Sequence, residues 1–409
     1  KDYNGNFATA NLTIGRGGQP INGANVVDPV IQTAGASIFL VYVDASQGWV
    51  ATQDDSSIFS GDNYIIATGG TESTSGDYKI HSFTGPGTFT VCSASATAGN
   101  NIVDYLVVAG GGGGGSGCGS GGGGGAGGLR FFANTTNNPQ SGPGSPRNGY
   151  GSPTPSGTQI TVTATGYPIT VGGGGTAGPG ASAPGKGGQG VDSVFSTITS
   201  AGGGYARGGN EPGPPTNGNP GGSGGSATRD RGTGGTGNTP PTTPSQGSNA
   251  GASTSNTLSG GGGGGAMAVG GDTINTPGGS AGTGGVGGAG AGLTGFGTGN
   301  GECSSCVQYF AGGGGGGSFN CSTDVAVGPP TEADGGIGGG GPGAMSPSHP
   351  GSYSAPASPA NKQWGVEGTA NTGGGGGGGG ESSTVGRPNN DADGGAGGSG
   401  IVVIRYKYK

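Results

Sequence analysis

The chain has 409 residues, of which 114 are glycine, 9% are charged and 6% are aromatic. This glycine content of about 28% is far above the usual value of about 7%. It excludes a large aliphatic core and a helix-rich fold, since each interior glycine costs a helix about 1 kcal/mol relative to alanine. The net charge of −7 gives no electrostatic basis for binding nucleic acid. The absence of any apolar stretch of about 18 residues argues against a membrane-spanning helix.

Glycine is distributed unevenly, which predicts two domains. Residues 1–100 hold 14 glycines, and residues 101–409 hold the other 100 (114 − 14). The first part favours short β-strands. The strands are predicted as a buried strand at Ile38–Val43, short strands at Asn11–Ile14 and Tyr64–Ala67, and a strand over Phe83–Cys92 that contains a glycine turn. We therefore expect an N-terminal β domain over residues 1–100 and a glycine-rich domain over residues 101–409.

The glycines of the second part form uninterrupted blocks. The blocks are Gly110–Gly115, Gly121–Gly125, Gly172–Gly175, Gly260–Gly265, Gly312–Gly317 and Gly373–Gly380. Collagen is excluded because it needs glycine at every third position. Disorder remains an alternative, because glycine-rich chains are flexible coils. The favoured interpretation is a bundle of extended polyglycine helices of the polyproline II type, whose backbone hydrogen bonds replace a hydrophobic core.

Two apolar segments bracket the glycine-rich region. Asp104–Ala109 precedes the first block and Ile401–Tyr408 closes the chain, and we expect these two strands to pair with each other. Gln159–Thr163 and Ile169–Val171 predict two further short strands. Arg405, Lys407 and Lys409 alternate with apolar residues, which predicts one solvent-exposed face on the last strand.

The intervals between blocks are rich in Pro, Asn, Ser and Thr and are predicted to be loops at the ends of glycine rods. They span Leu129–Thr158, Tyr205–Ser259, Leu293–Ala311, Ser318–Asp334 and Pro342–Thr372. Loops on a rigid scaffold often carry recognition residues, and aromatic rings suit contacts with sugars and protein receptors. The candidate binding residues are therefore the loop aromatics Tyr150, Tyr205, Tyr309, Phe310, Tyr353 and Trp364.

Several of these segments resemble a known family. Asp104–Gly111 and Gly398–Tyr406 are similar to the start and end of the glycine-rich domain of tailed-phage fibres and adhesins, and Phe83–Val91 is similar to its lead-in. Gly121–Leu129, Ile169–Gly175 and Asn371–Gly380 fit its interior pattern. Asn11–Arg16, Ile38–Asp44 and Gly48-Trp49 resemble a module of fibre-like virion proteins of marine and cyanobacterial phages. Long proline-rich loops and clustered cysteines depart from that pattern, so the receptor does not carry over.

The resemblance implies a virion structural protein, a tail-fibre or appendage subunit. It would be assembled in the host cytoplasm and be extracellular after release. Its glycine-rich domain would bind a host polysaccharide or outer-membrane protein, and residues 1–100 would attach it to other virion subunits or to copies of itself, most simply as a homotrimer. The alternative is a capsid-decoration or cell-surface filament protein that binds no receptor. Neither function involves nucleic acid or membrane insertion.

The five cysteines leave three interpretations open. Cys303 and Cys306 have the spacing of zinc and redox motifs, and Cys118 and Cys321 would complete a four-cysteine zinc site. A disulfide among Cys303, Cys306 and Cys321 would require an oxidising medium. The third interpretation is that all are unmodified thiols.

Other motif matches do not support an enzyme. The glycines after Val108 imitate a dinucleotide-binding loop, but no helix can follow them. Gly180–Lys186 resembles a phosphate-binding loop, but Gly187 stands where Ser or Thr is needed. Neither His81 nor His349 lies in a nucleophile motif. We therefore expect no catalytic residues, no bound metal and no cofactor.

Overall fold

The computed structural model describes most of the chain. The description covers residues 2–21, 28–31, 34–51, 64–95, 98–116, 120–133, 158–180, 185–208, 217–228, 232–254, 259–275, 281–294, 296, 299–320, 333–345, 364–380 and 393–408. Within these ranges there are many short strands, two 3₁₀ turns at Asn6–Ala8 and Ala98–Asn101, and no α-helix. The prediction of an all-β and irregular fold with almost no helix is confirmed.

The strands are numbered in chain order. They are β1 (Leu12–Thr13), β2 (Val30–Ile31), β3 (Leu40–Asp44), β4 (Gly48–Ala51), β5 (Ile66–Thr68), β6 (Thr71–Ser75), β7 (Tyr78–Phe83), β8 (Gly87–Ser93), β9 (Ile102–Val108), β10 (Leu129–Phe132), β11 (Ile160–Thr161), β12 (Gly166–Thr170), β13 (Ser193–Phe195), β14 (Ile198–Ser200), β15 (Ile274–Asn275), β16 (Ala281–Thr283), β17 (Ala291–Leu293), β18 (Glu302–Ser304), β19 (Val307–Phe310), β20 (Phe319–Asn320) and β21 (Ile401–Lys407).

A central antiparallel sheet connects the beginning and the end of the glycine-rich region. Its order is β10-β9-β21-β7-β6, and β11 also pairs with β9. Val402 of β21 lies opposite Val107 of β9, so the predicted pairing of the two bracketing strands is confirmed. A second sheet has the order β14-β13-β12-β8-β5, and a third has the order β17-β19-β18.

The two larger hydrophobic cores lie on opposite faces of the central sheet, and a small third cluster surrounds Ile31 and Ala36. Tyr105 and Val107 of β9 belong to the core shared with the β14-β13-β12-β8-β5 sheet. Leu106 and Val108 belong to the core shared with β17 and β19. Because successive side chains of a strand point to opposite faces, a strand buried on both faces must be apolar throughout, as β9 is after Asp104.

The glycine-rich segments form extended rods that are hydrogen-bonded side by side. Along residues 110–115, Gly110 and Gly113 donate to one neighbour (Val191 and Gly188), while Gly111 and Gly114 donate to another (Gly398 and Gly395). Gly112 and Gly115 donate to a third neighbour (Gly125 and Gly122). The N–H groups therefore point in the same direction at every third residue. This periodicity is that of the polyproline II helix, which has three residues per turn.

The rod of residues 120–128 shows how such a bundle is filled. It donates to rods 373–380, 259–266 and 201–208, and it accepts from rods 110–116, 222–228 and 311–318. Hydrogen bonds therefore leave or enter this rod on six sides. The backbone polar groups are satisfied between rods, as buried N–H and C=O groups must be.

Glycine is required at most positions of a rod that has neighbours on all sides, and the alanines of these rods, such as Ala126 and Ala266, pack into the hydrophobic core at the sheet end. A Cβ at Gly124 would overlap the carbonyl oxygen of Gly112, and a Cβ at Gly111 would overlap that of Gly374. Five of the six predicted glycine blocks form such enclosed rods, namely 110–116, 120–128, 259–266, 311–318 and 373–380. The sixth block, Gly172–Gly175, lies at the bundle surface, where a Cβ at Gly173 would meet no atom within 4 Å.

Outer rods carry a side chain at every third position, because one of their three directions faces solvent. Lys186, Gln189 and Asp192 are exposed in one such rod, and Thr233, Thr236 and Thr239 are exposed in another. The sequence of an outer rod thus differs from that of an enclosed one.

Several features of the strands differ from the sequence predictions. Ile38–Val43 was predicted to be buried, but Phe39, Val41, Tyr42 and Val43 are exposed, because β3 pairs only with β4 in a two-stranded hairpin. Strands also occur in intervals predicted to be loops: β10 lies in Leu129–Thr158, β18 and β19 lie in Leu293–Ala311, and β20 lies in Ser318–Asp334. The sheets also cross the boundary drawn at residue 100, since β7 pairs with β21 and β8 with β12.

Candidate functional site

The rods have two distinct ends. At the sheet end, rods continue into strands, as residue 110 does from β9 and residue 400 does into β21. At the opposite end, which we call the free end, Gly115 pairs with Gly122, Ser116 with Gly185 and Gly260 with Gly317. The described residues that lie at this end flank the segments 117–119, 181–184, 209–216, 229–231, 255–258, 276–280, 321–332, 346–363 and 381–392. These segments lie outside the described residues.

Two of the predicted binding aromatics lie on rods. Trp364 begins the rod 364–370 at the free end and is 58% exposed. Its neighbour Gly365 donates to the carbonyl of Asp393, which begins the rod 393–400. Tyr205 is half-buried on the rod 201–208. The Nζ atom of Lys186, on the adjacent rod, lies 5.8 Å from the centroid of its ring.

The other predicted aromatics are placed differently. Tyr309 and Phe310 belong to β19 at the sheet end, where Tyr309 is half-buried and Phe310 is fully buried in the core with β17. Phe310 therefore has a packing role and presents no surface to a partner. Tyr150 and Tyr353 lie outside the described residues. The structure thus does not bring the six predicted residues together at one place.

The three cysteines that the structure describes are free thiols. Cys303 lies in β18 and Cys306 in the two-residue turn to β19, and both are exposed free thiols. Cys92 is a half-buried free thiol. Cys118 and Cys321 lie outside the described residues.

Titratable groups in the described part of the chain form no metal-binding cluster. No set of three or more His, Cys, Asp or Glu side chains there is arranged to hold a metal ion. The described residues also contain no helix that is long and apolar enough to cross a membrane.

His81 is enclosed in the core rather than exposed to a ligand. Its Nδ1 lies 2.7 Å from the carbonyl oxygen of Gly69, so Nδ1 carries the proton and donates it. Its Nε2 lies 3.1 Å from the Tyr406 hydroxyl and accepts from it, and the two rings are stacked. Burial lowers the pKa of His81 below its ordinary value of 6.5. The imidazole is therefore a neutral structural group.

Arg405 corrects the prediction of a solvent-exposed face on the last strand. Its side chain is 3% exposed and its Nη2 donates to Asp104 Oδ2 at 2.9 Å. Its Cζ lies 4.3 Å from the ring centroid of Phe296 and 4.7 Å from that of Tyr78. A charge can be buried here because it is paired and covered by aromatic faces. The sequence could not show this, because Asp104 lies 301 positions away.

Sequence reasoning also missed the polar residues around Tyr205. Arg207 Nε donates to the carbonyl of Asn217 at 3.2 Å, and Asn219 Nδ2 donates to Gln189 Oε1 at 2.8 Å. The signal that could have found them is the three-residue spacing of Lys186, Gln189 and Asp192, which marks the outward positions of an outer rod.

Residues 82–407 match a protein family described as a glycine-rich domain. A search of curated proteins finds no match to the chain.

Proposed function

The chain belongs to the glycine-rich domain family, and from this premise we propose that it is a virion structural protein of a tailed phage. In this proposal it is a tail-fibre or appendage subunit whose glycine-rich domain binds the host cell surface. The protein acts by binding alone, its receptor is a surface polysaccharide or outer-membrane protein, and it is a homo-oligomer joined through its N-terminal residues.

One observation carries the proposal. The described residues that flank the segments between rods lie at the free end, together with the small sheet β15-β16-β20, while the two larger hydrophobic cores lie at the other end. A hydrogen-bonded scaffold that presents many chain segments at one end is the arrangement in which loops carry recognition. The exposed Trp364 at that end supports a role in contact with a receptor.

The exposed hairpin β3–β4 supports oligomerisation through the N-terminal residues. Phe39 is 63% exposed and Val43 is 56% exposed. A contiguous run of exposed apolar residues indicates a protein contact surface.

The test is binding of the purified full-length chain to cells of candidate hosts. We expect saturable binding that Trp364→Ala weakens by at least about tenfold, as for an aromatic hot spot. The matched control is Tyr309→Ala, which removes a half-buried aromatic side chain at the sheet end, outside both the free end and the hairpin β3–β4. Failure of the folded protein to bind any candidate host, or equal weakening by both substitutions, would contradict the adhesin proposal.

A second candidate, a structural subunit without a receptor, is favoured by a different observation. Met267 and Val269 are exposed on one outer rod and Val286 on the adjacent one, and Gly271 joins the two rods by donating to the carbonyl of Val286. Such a strip fits side-by-side packing of subunits. If Val269→Ser or Val286→Ser disrupts assembly while cell binding is absent, the structural candidate is preferred.

A further inference from the structure

The outer rods have fewer neighbours than the enclosed ones. The rod 232–239 bonds through its backbone to rods 217–221, 222–228 and 247–253 and to no other rod that the structure describes. The enclosed rod 120–128 is bonded on six sides, so the outer rod has room for further rods on its solvent side. An added rod would use the same backbone N–H and C=O groups that join the rods within the bundle.

Side chains occupy the solvent side of the outer rods at every third position. Inside the bundle, a Cβ at Gly111 would overlap a carbonyl oxygen of the rod 373–380, so two rods lie side by side only where such positions are glycine. A rod added to the rod 232–239 would overlap the Cβ atoms on its outward side in the same way. The outward positions there are all exposed threonines, namely Thr233, Thr236 and Thr239.

Side-chain oxygens also occupy outward N–H groups of the rod 232–239. Asn217 Oδ1 accepts from the N–H of Thr233 at 3.0 Å, and Asn249 Oδ1 accepts from the N–H of Gly237 at 2.9 Å. Each asparagine belongs to the outer rod next to the one that it binds. Both N–H groups lack a described backbone acceptor, and the asparagines fill the place that the carbonyl of an added rod would take.

Two aspartates act in the same way on other outer rods. Asp192 Oδ1 accepts from the N–H of Gly202 at 2.8 Å, and Asp272 Oδ1 accepts from the N–H of Ala252 at 2.7 Å. Again, neither N–H bonds to a carbonyl of the described backbone. The outward side of the bundle is thus closed in two ways, by Cβ atoms and by side-chain oxygens.

We propose that these outward side chains end the lateral growth of the bundle, and that an outer rod without them binds a rod of a second copy of the chain. The contact between copies consists of the backbone hydrogen bonds that join rods within one copy. The edge strand of a β-sheet has the same property, since its unpaired N–H and C=O groups bind further strands unless charged side chains, proline or a covering segment prevent it. The inference concerns the bundle alone and does not rest on the host-surface function.

Stability offers a competing explanation for the outward threonines. A residue other than glycine restricts the unfolded chain, and this stabilises the fold wherever the side chain meets open space. Alanine supplies both this effect and a Cβ, whereas glycine supplies neither. The stability explanation therefore predicts that a glycine variant is less stable but keeps the wild-type assembly state, whereas the proposal predicts that it associates.

Sedimentation velocity of the full-length chain at increasing concentration tests the proposal. One variant carries Thr233→Gly and Thr236→Gly, and its matched control carries Thr233→Ala and Thr236→Ala, which keep the Cβ atoms. We expect the glycine variant to reach a mean mass about twofold or more above the wild-type value, since the smallest new assembly is a pair. The alanine variant should have the wild-type mass at every concentration.

A second rod keeps the test decisive if the first glycine variant folds poorly. A Cβ at Gly173 of the rod 172–180 would meet no atom within 4 Å, and Thr176 is the next outward position. Thr176→Gly therefore opens two successive outward positions by one substitution, and Thr176→Ala is its control. Amide exchange of the rods should be as slow in the associated variants as in the wild type, because folded bundles associate.

Association through exposed apolar residues must be distinguished from association through rods. Val286 is exposed on another outer rod, so adding Val286→Ser to the glycine variants should leave their association unchanged. The proposal is overturned if both glycine variants keep the wild-type mass, if the alanine variants associate equally, or if Val286→Ser abolishes the association. Association that occurs only with loss of amide protection in the rods would also overturn it, since unfolded chains would then be responsible.

Discussion

At the scale of single residues, His81 shows how a titratable group is used for packing. The imidazole is fully buried between the Gly69 carbonyl and the Tyr406 hydroxyl, and Phe89 lies edge-on to its ring. The charged groups near it are Glu72, which favours its protonation, and Lys79, which opposes it. The effect of burial on the pKa of His81 is larger than the opposing effect of Glu72, so the imidazole is neutral in the folded protein.

This burial predicts a defined pH dependence of stability. The pKa of His81 is lower in the folded protein than in the unfolded chain. The contribution of the neutral imidazole to the free energy of unfolding is therefore fully present at pH values above the unfolded-state pKa of about 6.5. It is lost as the pH falls below that value, since the unfolded chain then binds a proton that the folded chain rejects. We expect the free energy of unfolding to decrease by up to about 1.4 kcal/mol per pH unit from about pH 6.5 downward.

The measurement is denaturant unfolding at several pH values between about 5 and 7, a window above the ordinary carboxylate pKa values. The control is His81→Gln, which keeps a hydrogen-bonding side chain but does not titrate. A wild-type protein whose stability is flat across this window, or a variant with the same slope as the wild type, would show that His81 is not responsible.

Single residues also mark the limit of prediction from the sequence. The block Gly121–Gly125 predicted a rod, because only glycine permits such close backbone contact. The burial of Arg405 could not be predicted, because its alternation with Ile404 and Tyr406 is also typical of a strand with one exposed face. Only the pairing of β9 with β21 brings Asp104 to it.

At the scale of elements, the rod replaces side-chain packing with backbone contact. In the rod 120–128 the atoms nearest to each glycine are mostly carbonyl groups of neighbouring rods. Cohesion therefore comes from hydrogen bonds and close contact rather than from buried hydrocarbon. At most enclosed positions of such an element a Cβ would overlap backbone of a neighbouring rod, whereas its exposed side accepts small side chains.

A pair of alanine substitutions tests this difference. Gly124→Ala should destabilise the protein by about 3 kcal/mol or more, because its Cβ meets backbone that cannot rotate away. Gly173→Ala should change stability little or increase it by about 0.4–1 kcal/mol, because its Cβ meets open space and the unfolded chain loses entropy. Thermal unfolding of both variants provides the comparison, and equal effects would refute the enclosed-rod description.

Rods and strands also show which structural differences can be predicted from the sequence: enclosed and outer rods can be distinguished, but buried and exposed strands cannot. Uninterrupted blocks predict rods, and a side chain at every third position, as in the rod with Thr233 and Thr236, indicates an outer rod. The strand Ile38–Val43 resembles β9 in composition, yet one is exposed and the other is buried. The difference depends on which strands pair with each, and composition carries no information about that.

At the scale of the whole molecule, the first and last strands of the glycine-rich region are joined at one point. Arg405 of β21 and Asp104 of β9 form a buried ion pair under Tyr78 and Phe296. Because these strands bracket the bundle, the pair closes a loop of 301 residues. Removing one partner of a buried ion pair destabilises the fold more than replacing the whole pair by apolar side chains, because the remaining charge is buried without compensation.

Arg405→Met alone should therefore lower the free energy of unfolding by about 3–5 kcal/mol, because it leaves Asp104 buried without its partner. The double variant Asp104→Leu, Arg405→Met should recover most of that loss, since two apolar side chains fill the same site. Urea unfolding of the single and double variants gives the comparison. A double variant no more stable than the single one would show that the pair itself holds the sheet together.

The three-residue repeat of the rods also restricts how the chain can change in length. Inserting or deleting one residue within a rod rotates every later N–H by about 120°, so each following hydrogen bond points at the wrong neighbour. The hydrogen-bond register of the bundle is preserved only if the insertion or deletion lies in a segment outside the rods. Insertions and deletions during divergence should therefore accumulate in the segments beyond the free end, where a change in length alters the presented surface and leaves the register of the bundle intact.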